Sequence, residues 1–481
     1  MMDQDLEGLR PELVWKHFDQ LRSIPRCSKN EAGAVAYVRS VAERLGLNFR
    51  TDAAGNIVVM KPASSGKEGA PTVVLQGHLD MVCEKNKDVT FDFIKDPIQL
   101  RKEGDYLYAK GTTLGADNGI GVAAALAVLE DRSLVHGPIE ALFTIDEETG
   151  LTGAFALGPD MLTARLMINL DTEEERAIYV GCAGGGESEL AMNVRWKPAT
   201  GKALKVTVMG MKGGHSGVDI NLERANALKV LGRILWKARV GNRFLIGGIT
   251  GGDKHNAIPR EAEAVLVYGS GIRNLKKAVE GAFEDIRFEY RTKEPDMHLS
   301  IEECPLPTEA MDKRSTGRVI DLIMALPHGI YRWSPDIPGL VETSTNLAKI
   351  RTEGVFYAQL ASRSSSKSQL EGLRDHIDAI ANMSGASVKR GNAYPGWLPN
   401  MESKVLAVLK DCCRELWNIE PGIKAIHAGL ETGIVGEKFP GIDMASIGPQ
   451  IEHPHSPDER VKISSVDEFW ALLTLALRKL C

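Results

Sequence analysis

Residues 72–82 read TVVLQGHLDMV, and this stretch decides the fold. Thr72 to Leu75 is a short apolar run rich in β-branched residues, the signature of a buried strand. It stops at Gln76-Gly77-His78-Leu79-Asp80, so a histidine and a carboxylate stand at the carboxyl end of a strand. The same construction recurs along the chain. Ile139 to Ile145 is a strand-like run ending in Asp146-Glu147-Glu148, and Leu166 to Leu170 is another ending in Asp171. Between them, Gly119 to Leu129 is rich in small residues and reads as a helix packed closely on a sheet. Alternating strands and helices of this kind predict an α/β domain with a mixed, mostly parallel sheet. In open sheets of that class, ligands bind outside the carboxyl ends of the strands.

The N-terminal stretches Pro11 to Arg22 and Glu31 to Leu45 carry apolar residues at helical spacing. Near Gly184 the texture changes. Leu204 to Met209 and Ala262 to Tyr268 alternate like half-exposed strands, and Ala225 to Trp236 is an amphipathic helix. That mix predicts an α+β domain with an antiparallel sheet. Helix Val405 to Trp417, strand Asp443 to Ile447 and helix Val466 to Leu480 then restore the α/β texture. The expected organisation is a catalytic domain over residues 1–188 and 397–481, interrupted by an inserted domain over 189–396.

Composition bounds the function. The 481 residues are 43% hydrophobic and 25% charged, which excludes a disordered chain, a collagen and a small disulfide scaffold. The net charge of −6 argues against a general nucleic-acid surface. The longest apolar run, Gly121 to Leu129, is too short to cross a membrane. The start, MMDQDLEGLR, is charged from its third residue and lacks the pattern of a signal peptide. Seven cysteines form no CxxC pair, which argues against a cysteine zinc site and points to a reducing cytoplasm.

The strand-end residues form a set. His78, Asp117, Glu148, Asp171 and His455 supply the five ligands that two metal ions need when they share one carboxylate. Two such ions polarise a carbonyl and lower the pKa of a bridging water. Glu147 is placed to take the proton of that water. Asp80, two residues after His78, is placed to orient its imidazole. Taken singly, each piece has a plainer reading. A strand-end histidine is usually structural, acidic pairs usually cap helices or face water, and Asp117-Asn118-Gly119 alone is a turn with a helix cap. Glu173-Glu174-Glu175 reads as a solvated run, and Asp146 as an exposed third acid whose charge raises the pKa of Glu147. A phosphate loop and a serine-nucleophile elbow are excluded, because no GxxxxGK[ST], GxGxxG or GxSxG motif occurs where one is needed.

The motifs GHLDMV (77–82), KGTTLGADNGIG (110–121), DEETGLTGA (146–154), NLDTEEE (169–175), GGHSG (213–217), HNAIPREA (255–262), AYPGW (393–397), HAGLE (427–431) and GPQIEHPHSPDERV (448–461) together carry a resemblance. They are similar to those of the co-catalytic zinc exopeptidases that include aminoacylase and glutamate carboxypeptidase, and most similar to the aminoacyl-histidine dipeptidase branch. The resemblance implies a metal-binding α/β domain interrupted by an α+β lid. It implies that His78 and Asp171 complete one metal site and Glu148 and His455 the other, with Asp117 bridging. Glu147 is then the general base, Asp80 tunes His78, and His215 of the lid stabilises the oxyanion. For substrate binding it points to Glu431 for an α-ammonium, Arg363 for a C-terminal carboxylate and Asn256 beside one or the other. Without the resemblance, His215 is a turn histidine between glycines, Arg363 a loop arginine and Glu431 a helix cap.

The implied activity is hydrolysis of unblocked dipeptides, Xaa-His among them, by a metal-bridged hydroxide. The alternative is a related aminoacylase or carboxypeptidase acting on N-acyl amino acids; a non-enzymatic peptide-binding relative would have lost ligands that are intact here. The implied cofactors are two divalent ions, zinc by ligand type, with manganese or cobalt as alternatives. The implied partners are a dipeptide and a second copy in a homodimer, with neither nucleic acid nor membrane.

Overall fold

The computed structural model describes residues 3–481. It divides into two compact units. The first holds the chain up to Cys182 together with Trp397–Ala425 and Leu430–Cys481; the second holds Ala183–Gly396 and Ile426–Gly429. The first crossing falls before residue 188 because Gly184–Asn193 is one continuous strand of the second unit's sheet.

The first unit is built on an eight-stranded sheet. Its centre is parallel: Val73–His78 lies between Ile139–Thr144 and Leu166–Asn169, and Asp443–Ser446 pairs with the latter. Toward its edges it is antiparallel, through Ile57–Lys61 and Asn48–Thr51 on one side and Ala177–Cys182 on the other. The parallel reading thus holds for the four central strands, which are buried throughout except at Asp443 and so show no alternation of exposed and buried residues.

Helix Ala116–Glu130 packs against the Val73–His78 strand and the N-terminal helix Glu12–Arg22. Every residue from Ala116 to Leu129 is buried, and its alanines and glycines, interspersed with Ile120, Val122, Leu126, Val128 and Leu129, allow close approach on all sides. Its regular part begins at Gly119, because Asp117 and Asn118 have non-helical backbone angles and the peptide between them is cis. A separate four-stranded sheet joins Leu100–Glu103, Tyr106–Ala109, Arg460–Lys462 and Ile451–Glu452. Charged residues in Leu100–Glu103 hide this sheet from a hydrophobicity reading, yet it sets the turn 453–459 against the start of the buried helix.

His17 of the N-terminal helix is fully buried, with Nδ1 2.8 Å from the Tyr37 hydroxyl and Nε2 3.1 Å from a Glu130 carboxylate oxygen. Burial pushes its pKa down to about 4, against the pull of Glu130. Above the unfolded value of 6.5 the ring is neutral in both states. Between 6.5 and about 4 only the unfolded chain takes up the proton, so stability falls as pH falls through that window. The loss amounts to roughly 3 kcal/mol at its end. His17→Gln is expected to flatten this dependence, read as denaturation midpoints across the window; parallel curves for variant and wild type would refute it.

The second unit carries a nine-stranded, antiparallel sheet. Helices Ala227–Ala238, Ile272–Tyr290, Lys313–Ala325 and Lys367–Ser384 accompany it. Leu228, Leu231 and Leu235 of the first of these share a core with Val206, Ile249, Leu266 and Ile350 of the strands. Its start is fixed by Asn226, whose side chain accepts the Leu228 and Lys229 N–H groups.

Cys27 and Cys83 form a disulfide, while Cys182, Cys304, Cys412, Cys413 and Cys481 are free. The pairing departs from the reducing-compartment reading of the cysteines. It arises because the segment at Cys27 runs alongside Met81. Among the described residues, no helix is long and apolar enough to cross a membrane.

Candidate metal centre

His78 ends the central strand, and its Nε2 lies 3.0 Å from Asp117 Oδ1 and 3.4 Å from Asp171 Oδ1. His455, on the turn that follows Ile451–Glu452, places its Nε2 3.2 Å from Asp117 Oδ2 and 3.1 Å from Glu148 Oε2. The two oxygens of Asp117 thus face different histidines. His78, Asp117 and Asp171 form one cluster with ligand atoms within 4.8 Å of each other; Asp117, Glu148 and His455 form a second. All five sequence-predicted ligands are brought together, in two groups that share one carboxylate.

The surroundings fit cations. Glu148 Oε1 is buried with no hydrogen-bond partner among the described residues, and Asp171 Oδ1 has only the long 3.4 Å approach of His78 Nε2. An orphaned buried carboxylate oxygen is costly unless something positive meets it. The charges speak the same way. Burial opposes protonation of His78, but Asp171, Asp117 and Asp80 raise its pKa well above the ordinary value. Hydrogen bonds to Asp117 and Glu148 push His455 up to about 11. Burial raises Asp171 to about 6.

Asp80 is fully buried and ties the centre together. Its Oδ1 lies 3.4 Å from His78 Nδ1 and accepts the Glu147 N–H at 3.0 Å, while Oδ2 accepts the Glu148 N–H at 3.2 Å and the Ser28 hydroxyl at 2.7 Å. It therefore faces the ring nitrogen of His78 turned away from Asp117, which fixes the ring's orientation. Glu147 belongs to a further cluster with His78 and Glu148. Burial raises its pKa well above the usual carboxylate value, and Asp171, Glu148 and Glu431 add to the effect.

Three expectations are corrected. Asp146 is buried, not exposed: it has φ +50°, accepts the Thr149 hydroxyl and donates its N–H to Glu31 at 3.0 Å. The charges that chiefly raise Glu147 are those of Asp171, Glu148 and Glu431. Glu173-Glu174-Glu175 is not a solvated run. Glu173 is pushed up to about 9 by burial beside Asp117 and Asp171, and hydrogen-bonds Asp117. Glu174 pairs with Lys424, and Glu175 with Lys462 at 2.8 Å. Glu431, at the start of helix Glu431–Lys438, makes no capping bond. It is 1% exposed and accepts from Gln76 Nε2 and Thr144 Oγ1, both at 2.6 Å, and burial pushes its pKa up to about 8. Gln76 in turn accepts from Asn169 Nδ2 at 2.5 Å. This buried polar chain of Gln76, Thr144 and Asn169 has no sequence motif, because its members stand on different strands.

The second unit has its own polar cluster. The His215 N–H donates to Asp219 Oδ2 at 2.8 Å, and His215 Nδ1 accepts the Val218 N–H at 3.0 Å, which leaves Nε2 to carry the proton of the neutral ring. Burial and Arg363 lower its pKa. Asn256 is held beside it by the Ser216 N–H donating to the Asn256 carbonyl at 2.8 Å. Arg363 is nearly buried and donates to the Tyr394 hydroxyl at 3.0 Å. His427, within HAGLE but given no role by the sequence, sits 2.7 Å from the Ser344 hydroxyl, and burial pushes its pKa down to about 3. These side chains converge on Gly217, where a Cβ would come within 2.2 Å of the His427 carbonyl and 3.1 Å of Arg363 Nε.

Comparison with known proteins gives one family. The model of peptidase family M20/M25/M40 matches residues 74–479. The chain is 40% identical to the cytosol non-specific dipeptidase of Escherichia coli (strain K12), over 99% of each protein. The crystal structure of aminoacylhistidine dipeptidase from Vibrio alginolyticus superposes with a TM-score of 0.93 at 38% identity, over 98% of both chains. Aminopeptidase PepT from Bacillus cereus, at 16% identity and a TM-score of 0.55 over 98% of this chain and 99% of its own, shares the fold.

Proposed function

Because the chain belongs to peptidase family M20/M25/M40, we propose that it is a two-metal dipeptidase that hydrolyses unblocked dipeptides, Xaa-His dipeptides among them. The observation that carries this reading is Asp117, whose two oxygens face His78 and His455 separately. His78 and Asp171 would hold one ion and Glu148 and His455 the other, with Asp117 contributing to both. Zinc suits this nitrogen and oxygen set, with manganese or cobalt as alternatives. Bound there, a divalent pair polarises the scissile carbonyl and acidifies the attacking water.

The remaining work falls to the chain. Glu147 takes the proton of the attacking water and hands it to the leaving amine. Asp80 keeps His78 oriented and holds the backbone of Glu147 and Glu148 through two accepted N–H bonds. His215, with its proton on Nε2, is the donor assigned to the developing oxyanion. Arg363 is assigned to the substrate carboxylate, which its guanidinium can meet bidentately. Asn256 is assigned to the oxyanion or that carboxylate. Glu431 is assigned to the α-ammonium through Oε1, which has no hydrogen-bond partner among the described residues. The relative named for the cytosol supports a cytoplasmic location.

The test is hydrolysis of β-alanyl-histidine, glycyl-histidine, glycyl-leucine, a tripeptide and an N-acetyl amino acid by metal-replete and chelated protein. Cleavage of the free dipeptides alone, abolished by chelation and restored by metal, is expected. Cleavage of the N-acetyl compound instead would move the protein to the aminoacylase or carboxypeptidase side of the family and remove the role given to Glu431.

A further inference from the structure

Asp117 stands at a backbone break. Gly115 has φ +70° and Asp117 has ψ 116°, so the chain reaches the buried helix through a tight, non-helical turn. The backbone N–H groups of that turn have no local cap: Gly115 at the cap position offers no side chain. They converge instead on one carboxylate distant in sequence. Glu459 Oε2 accepts from Leu114 N at 2.7 Å and Gly115 N at 2.9 Å, and Oε1 accepts from Ala116 N at 2.8 Å and Asp117 N at 3.3 Å. Glu459 is 2% exposed and lies on the same turn as His455. From another direction, the buried Arg26 donates to the carbonyls of Leu79 at 3.0 Å and Asp80 at 2.8 Å, and to that of Gly115. A Cβ at Gly115 would come within 2.5 Å of Arg26 Nη2, so this residue must be glycine for both its angle and its neighbour.

We propose that Glu459 is a positioning residue of the metal centre: it locks the backbone that aims the shared ligand Asp117 to the turn that carries His455, while Arg26 ties the same backbone to the Asp80 segment. Neither side chain touches the ligand atoms. Their effect is on the aim of Asp117, and so on the position that Asp117 and His455 hold jointly. This rests on the reading of Asp117 as the bridging ligand.

The experiment is titration of metal-free protein with cobalt(II) alone, followed by the visible absorption of the bound ion, for wild type, Glu459→Gln, Glu459→Asp and Asp117→Asn. Glutamine keeps the shape and loses the charge and half of the accepting capacity. Glu459→Gln is expected to weaken the looser of the two cobalt sites about 10–100-fold, the usual cost of losing an outer partner of a metal ligand. The dipeptide KM at saturating cobalt is expected to stay unchanged, and Glu459→Asp, which keeps the charge, to recover part of the loss. A purely structural role would lower the unfolding temperature and leave both cobalt constants unchanged, which would overturn the proposal. Unchanged binding in Asp117→Asn would instead overturn the bridging reading. If Glu459→Gln does not fold, Glu459→Asp decides by the same titration. Failure of both to fold would also overturn the proposal, by making Glu459 a folding residue.

Discussion

Glu147→Gln is expected to retain both metal ions and to lose turnover by about 10²–10⁴-fold or more, the range a positioned general base supplies. The two side chains have the same shape, but the amide cannot accept the proton. The backbone at this position remains held, because its N–H still donates to Asp80. None of the five proposed ligands is altered. The carboxylate itself is buried in a field of like charge from Asp171, Glu148 and Glu431, which favours proton uptake. A group so placed is a better base than an exposed glutamate. Steady-state kinetics on glycyl-histidine and elemental analysis of the purified variant check both halves. Near-wild-type turnover with both metals bound would remove Glu147 from the reaction; loss of a metal would make it a ligand.

Asp117→Asn is expected to act at both metal positions together and to abolish measurable hydrolysis. In the folded protein one oxygen serves the His78 group and the other the His455 group. Asparagine leaves a single neutral oxygen, so at most one group keeps an acceptor, and the negative charge that the two proposed cations would share is gone. Loss of an outer partner alone costs about 10–100-fold in metal affinity. Loss of the shared ligand is expected to exceed that at one position and to weaken the other. His455→Ala is the contrast, since it belongs to only one cluster and should remove one ion. Metal content and affinity, measured for both variants, distinguish them. An Asp117→Asn protein that binds two ions as tightly as wild type would break the two-site arrangement.

What the sequence makes legible follows from how burial marks residues. The proposed ligands His78, Glu148 and Asp171, and the proposed base Glu147, stand where apolar runs end and so announce themselves by position. The small-residue helix is equally plain, because a helix buried on every side is apolar throughout and rich in alanine and glycine. Glu459 is invisible for the opposite reason. It sits in a polar turn, and its four partners lie some 345 residues away. Arg26 is hidden likewise, since a buried arginine that satisfies carbonyls has no local pattern. Glu173 is masked by its two acidic neighbours, which do meet surface lysines. Asp146 is masked by the pair that follows it. The short, charged strand Leu100–Glu103 lacks the alternation that a half-buried strand would show. In each case the missing information is a partner remote in sequence.

The order in which the ligands occur along the chain has a consequence for biosynthesis. His78, Asp117 and Asp171 all precede Cys182, whereas His455 follows the whole of the second unit. On the proposed assignment, a growing polypeptide would therefore possess a full set for one ion long before it could assemble a place for the other. The later position, and the Glu459 lock with it, forms only when the terminal segment folds back onto the turn at residues 114–117, made some 340 residues earlier. On the proposed assignment, a message cut short after the inserted unit would yield a product with the ligands of one ion and without His455, so only a chain extended through that turn would carry both places.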